Sequence, residues 1–101
     1  MTRRVVWSND ALDDLLKQIT HIATDSPDAA ERVAVRIREV GTALGDFATG
    51  HPGRVSGTYE KAVARLPYII AYALTNDDST VSILRVIHSA RDWQAEGWPA
   101  I

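Results

Sequence analysis

A chain of 101 residues, 46% hydrophobic and 24% charged, has the length of one domain and the composition of an ordinary folded protein, which excludes a disordered or fibrous chain and leaves no room for a separate catalytic module. The absence of cysteine excludes disulfides, thiolate metal sites and cysteine nucleophiles, and is compatible with a reducing cytoplasm. A formal net charge of −2 argues against a general grip on nucleic-acid phosphates, although Arg54, Arg65, Arg85 and Arg91 all fall in the second half of the chain.

Residues 3–7, Arg-Arg-Val-Val-Trp, combine β-branched and aromatic side chains and predict a strand. Ser8, Asn9 and Asp10 then offer side-chain oxygens to the unpaired N–H groups of a helix start. Beyond Ala11, the residues Leu12, Leu15, Leu16, Ile19, Ile22 and Ala23 recur at spacings of three and four, on one face of a first helix. His21 lies outside that stripe, on the solvated side. Ser26-Pro27 opens a second helix, serine as N-cap and proline at the first helical position, and Ala30, Val33, Ala34, Ile37, Val40 and Leu44 continue the period. So short a connection folds the two helices back on each other as an antiparallel hairpin.

Gly41 and Gly45 weaken the end of the second helix, and residues 49–53, Thr-Gly-His-Pro-Gly, form a loop. Three strand-like runs follow, over residues 58–66, 68–74 and 80–88, with Pro67 limiting ladder bonding after the first. The polar cluster over residues 75–79 makes a hairpin of the last two. Both are largely apolar, so the helical hairpin is expected to cover a face of the sheet. The predicted order is β-α-α-β-β-β, an α+β fold with an antiparallel α-helical hairpin on a small, mainly antiparallel sheet. It forms a single domain over residues 1–101 with 94–101 as a C-terminal tail. No apolar stretch approaches bilayer length and no basic-then-apolar leader is found, so neither export nor membrane insertion is expected.

Phosphate-binding glycine loops, metalloprotease helices and nucleophile elbows are missing. His21, His51 and His88 stand in unlike contexts, so no metal site and no cofactor are expected. The unusual segment is residues 83–93, Ile-Leu-Arg-Val-Ile-His-Ser-Ala-Arg-Asp-Trp, in which Arg85 interrupts an apolar strand. An unpaired buried guanidinium is costly, so Arg85 must reach a carboxylate, a carbonyl, a ligand or solvent. Asp92 is a candidate partner for Arg91 or Arg85, and Arg65 a candidate second cation on the same sheet face.

These features occur in a set order: Trp7-Ser8 before a leucine-faced helix, Ser26-Pro27, Gly53-Arg54, Pro67-Tyr68-Ile69-Ile70-Ala71-Tyr72, and the closing Arg85-Val86-Ile87-His88-Ser89-Ala90-Arg91-Asp92-Trp93. Over about residues 4–93 the chain resembles the ParE/RelE toxin superfamily, and its ParE-like branch in particular. The resemblance implies a cytoplasmic type II toxin held in a hetero-oligomer by a ParD-like antitoxin encoded beside it, with operator DNA contacted only through the antitoxin. Leu12, Leu16 and Ile19 are the expected antitoxin-binding residues, on the reasoning that so small a protein leaves an apolar groove.

Shared fold does not decide the target, because RelE-like members cut mRNA on the ribosome and ParE-like members poison DNA gyrase. RNA cleavage requires a base, an acid and cations for the phosphorane charge. Here the candidates are Arg65, Arg85, His88 and Arg91, with Tyr68, a thin set beside one lysine in the strand region, Lys61, and no histidine or tyrosine after Trp93. Gyrase poisoning is therefore the favoured expectation, with Arg91, Asp92, Trp93 and Trp98 as the interaction surface. A ribosome-dependent endoribonuclease and a non-toxic scaffold domain are the alternatives.

Overall fold

Two serines mark out the helical part of the chain in the computed structural model, which describes residues 2–89. Strand β1 (Arg4–Trp7) is followed by α1 (Asn9–Asp25) and α2 (Pro27–Ala43). Ser8 caps α1, its Oγ accepting the Ala11 N–H at 3.0 Å. Ser26 closes α1 by donating its N–H to Ile22 O at 2.9 Å and opens α2 by accepting the Ala29 N–H at 3.2 Å, with Pro27 where no N–H is missed.

The remaining strands are β2 (His51–Pro52), β3 (Tyr59–Ala62), β4 (Tyr68–Thr75) and β5 (Thr80–His88), and the sheet order is β1-β5-β4-β3-β2. All pairings are antiparallel except β1 with β5, where Arg4 lies beside Thr80 and Trp7 beside Ile83. The expected strand over residues 58–66 is confined to Tyr59–Ala62, because the Leu66 N–H turns back to Val63 O and the chain reverses into β4. His51-Pro52, expected as loop, pairs briefly with β3. The β4–β5 turn holds Asn76, Asp77 and Asp78 in succession at φ of 53°, 56° and 64°, the left-handed region that asparagine and aspartate tolerate best. Asn76 O accepts both the backbone N–H and the hydroxyl of Ser79.

The core gathers Ala11, Ile37 and Leu44 from the helical half with Ile70, Tyr72, Val81, Ile83 and Val86 from β4 and β5. Each fully buried aliphatic side chain contributes on the order of 1.5–3 kcal/mol. Alternation along β5 from Val81 and Ile83 would send Arg85 inward next. A β-bulge prevents it: Tyr72 pairs with Ile83 and Ala71 with Arg85, leaving Leu84 as the extra residue, so Val86 takes the next core position.

Helix α2 approaches the sheet closely at Gly41, where a Cβ would stand 2.5 Å from Trp7 Cζ2 and 3.1 Å from Ile83 Cδ1. Tyr72 stacks on Tyr59, ring centroids 5.5 Å apart, and its hydroxyl accepts the Gly50 N–H at 2.9 Å. Burial raises the Tyr72 phenol above its ordinary value of 10.0, partly offset by the Gly50 hydrogen bond.

Gly41→Ala is expected to lower stability by about 1–2 kcal/mol, overpacking outweighing the gain in helix propensity. Urea denaturation measures it, and trimming Trp7 to Leu in the same background should narrow the gap between alanine and glycine; an undiminished midpoint in Gly41→Ala would refute the tight contact. The second expectation concerns pH. Folded Tyr72 holds its proton more tightly than the unfolded chain, so that contribution is complete below the ordinary phenol value of 10.0 and is lost as pH rises through the higher folded value. Tyr72→Phe should cost about 1 kcal/mol at neutral pH, through the orphaned Gly50 N–H, and flatten the alkaline fall in stability. An identical alkaline limb in parent and variant would refute the assignment.

Candidate functional site

Strand β1 covers the edge of β5 only as far as Ile83, where Ser8 takes over. The Ser8 N–H donates to Ile83 O and its hydroxyl to Leu84 O, both at 2.9 Å. Beyond that point α1 lies beside the open edge and presents Asp14. Its Oδ2 accepts the Val86 N–H at 3.0 Å and Arg85 Nε at 2.6 Å, while Oδ1 accepts Arg85 Nη2 at 2.9 Å. One carboxylate thus stands in for a missing strand and neutralises the arginine displaced by the bulge. The bidentate pair is charge-assisted and partly shielded, with the Asp14 side chain 12% exposed and that of Arg85 29%. The hydrogen bond to Asp14 raises the Arg85 pKa above its ordinary value against the opposing effect of burial, and the charges of Asp14 and Asp10 add to it.

Among the described residues the partner of Arg85 is Asp14; Asp92, the partner considered from sequence, lies outside them. Asp14 was missed because α1 does not bury the most apolar line of its surface. Ala11 and Gln18 are buried, with Leu15 and Ile22 packed against the core, and Asp14 lies on that same face. Leu12 and Leu16 are instead 48% and 64% exposed, and with half-buried Ile19 they form a ridge at spacings of four and three. The clue available in the sequence was the demand of Arg85 for a carboxylate, matched to the spacing of Asp14 from Ala11 and Gln18.

His88 and Tyr68 are cross-strand neighbours at the far end of β5, their rings edge to face with centroids 5.5 Å apart. Tyr68 is buried and His88 half-buried. The Ser89 N–H donates to Pro67 O at 2.8 Å, fastening the strand end to the β3–β4 turn. Arg65 sits in that turn, exposed and at φ 68°, and not within a strand. The structure thus brings Tyr68 and His88 together, commits Arg85 to Asp14, and sets Arg65 apart from the sheet. Arg91, Asp92, Trp93 and Trp98 lie outside the described residues. Among the described residues no cluster of three or more histidines or carboxylates is arranged to hold a metal ion.

Asp14→Asn is expected to cost about 1–2 kcal/mol and Asp14→Ala about 2–3, the alanine also stranding the Val86 N–H. A double-mutant cycle with Arg85→Met should return a coupling of about 1–2 kcal/mol. Independent, additive effects would remove the pair from its place in the fold.

A sequence profile described as the ParE toxin of the type II toxin-antitoxin system, parDE, matches residues 5–93. Putative toxin Y4kP of Sinorhizobium fredii is 40% identical over 92 residues, covering 90% of this chain and 93% of its own. Toxin RelE2 of Caulobacter vibrioides is 35% identical over 89 residues, covering 87% and 97%. Among solved structures, a chain of the chromosomal ParDE system from P. aeruginosa aligns with a TM-score of 0.78 at 22% identity, over 86% of this chain and 96% of that one. A chain of the toxin-antitoxin complex RelBE2 from Mycobacterium tuberculosis aligns with a TM-score of 0.61 at 26% identity, over 87% and 99%. Two helices on a mixed five-stranded sheet, a profile match running from β1 past β5, and relatives aligned over nearly their whole length together place the chain in the ParE toxin family, within the ParE/RelE superfamily of type II toxin-antitoxin systems.

Proposed function

We infer that this toxin stops growth by poisoning DNA gyrase and does not cut mRNA. The observation that carries this reading is the commitment of Arg85 to Asp14. Phosphorane charge in RNA cleavage needs cations aimed at the reacting phosphate, and the arginine inside the closing strand is already neutralised and tied to the helix. Arg65 lies in an exposed turn outside the sheet, and the net charge of −2 disfavours a ribosomal RNA surface. A second reading, ribosome-dependent mRNA cleavage, draws on the contact of His88 with Tyr68, a candidate acid–base couple, and on the likeness to a relative named RelE2.

The partner surface belongs to the same reading. The Leu12, Leu16 and Ile19 ridge is apolar surface that a monomer leaves to water, and an antitoxin segment laid along it would form the hetero-oligomer. Operator DNA would then be met through the antitoxin. Arg91, Asp92, Trp93 and Trp98 unite the residue types that dominate interface energies and are the candidate gyrase contacts. The proposed site of action is the cytoplasm, and no helix among the described residues is long and apolar enough to cross a membrane.

Induction of the toxin without antitoxin, with parallel measurement of gyrase supercoiling and transcript integrity, tests the target. Expected are growth arrest, lost supercoiling and intact transcripts, with toxicity kept by a folded His88→Gln protein. Cut transcripts that disappear with His88→Gln would overturn the gyrase reading. Leu12→Glu with Leu16→Glu should weaken antitoxin binding by about tenfold or more, and deletion of residues 95–101 should lower gyrase inhibition at unchanged antitoxin affinity. Parent-like affinity in the double glutamate variant would move the antitoxin elsewhere.

A further inference from the structure

A groove of about 350 Å³ runs between α2 and the β3–β4 turn, walled by Arg32, Arg36 and Arg65 over a floor that includes Ala29, Val33 and Leu66. Arg32 and Arg36 are four residues apart and so lie one above the other on α2; Arg65 faces them from the turn. None of these three guanidinium groups has a carboxylate partner among the described residues, in contrast to Arg85 with Asp14. Asp28, Glu31 and Glu39 of α2 border the adjoining groove, also without reaching either arginine. The arrangement is not favourable for the isolated chain. Like charges four apart on a helix repel, and the left-handed backbone at Arg65, φ 68°, is a conformation that non-glycine residues seldom take.

We propose that this groove binds a peptide segment of a protein partner in which carboxylate side chains flank an aliphatic one. Three unpaired planar cations supply bidentate donors for carboxylates, and Val33 and Leu66, partly buried against the core, receive the aliphatic group. A phosphate backbone would meet the same cations. It would leave the apolar floor uncovered and approach a chain of net charge −2, so the acidic peptide is the better complement. The groove shares no residue with the Leu12, Leu16 and Ile19 ridge, and the site stands whether the toxin acts on gyrase or on mRNA.

The test measures fluorescence anisotropy of two short leucine-centred peptides with the full-length toxin, one carrying glutamates and the other glutamines at the same positions. The glutamate peptide should bind about tenfold more tightly. That preference should shrink severalfold between about 0.05 and 0.3 M salt and vanish in Arg32→Gln/Arg36→Gln/Arg65→Gly, where glycine suits the left-handed position. All three arginines are exposed, so helicity should be kept and the thermal midpoint should not fall below the parent's, relief of the like-charge pair and of the left-handed backbone acting to raise it. A variant that fails either is replaced by Arg32→Gln/Arg36→Gln, for which a severalfold loss of preference is required. Equal binding of both peptides, or a preference that survives the substitutions, would refute the site. Tighter arginine-dependent binding of an RNA oligonucleotide of equal charge would overturn the peptide in favour of phosphate. Failure here leaves growth arrest and supercoiling untouched, so it is separable from failure of the gyrase reading.

Discussion

The carboxylate of Asp14 is the point on which the two layers of this toxin depend. A strand edge left open beyond Ile83 exposes a backbone donor, and a bulge at Leu84 turns a cation out of the core. Both problems fall at neighbouring residues, Val86 and Arg85, and one side chain from α1 meets both. Unsatisfied, the Val86 N–H alone would cost on the order of 1–3 kcal/mol. Because Ser8 bonds to Ile83 and Leu84 while also capping α1, the start of the helix is fixed to the strand less than two turns before Asp14 arrives. Helix and strand are thereby set by side chains of defined length and not by apolar contact alone.

This arrangement explains how α1 can carry leucines on its outside. The inner line of α1 already holds Ala11, Asp14, Leu15, Gln18 and Ile22, and the apolar side chains at Leu12 and Leu16 fall outside it. In a protein that works alone such a ridge would be a liability. The antitoxin proposed to lie along α1 would cover it.

Local features were legible in the sequence because their causes are local. The serine caps, Pro27 at its N1 position and the left-handed Asn76-Asp77-Asp78 turn are each decided by a few consecutive residues. So were the helical hairpin and the β4–β5 hairpin. Sheet order was not, since the parallel pairing of β1 with β5 joins the two ends of the described chain and carries no sequence mark. The bulge at Leu84 was equally hidden: it changes which residues of β5 face the core without changing the composition of the strand. Periodicity found that α1 is amphipathic but put Leu12 and Leu16 on the same face as Leu15 and Ile22, whereas the line actually buried runs through Ala11 and Gln18 with an aspartate beside it. For the candidate site, the sequence required that Arg85 reach a carboxylate, a carbonyl, a ligand or solvent; that it is a carboxylate, and that of Asp14, required the helix to be placed. Tyr68 and His88 become neighbours only once the β4–β5 register is known.

The parallel pairing also sets the longest closure in the described fold. Helices α1 and α2 form from neighbouring residues, and β4 with β5 from a tight turn, whereas β1 can dock only after β5 exists. Until then the inner line of α1 has no strand to lie against, and the Asp14 carboxylate has neither of its partners. Closing so long a loop is the slow step expected of a fold dominated by contacts distant in sequence. Because β4 and β5 pair through their own turn, both partners of Asp14 come from the far end of the described chain, and the inner line of α1 is covered only when that hairpin meets the helix.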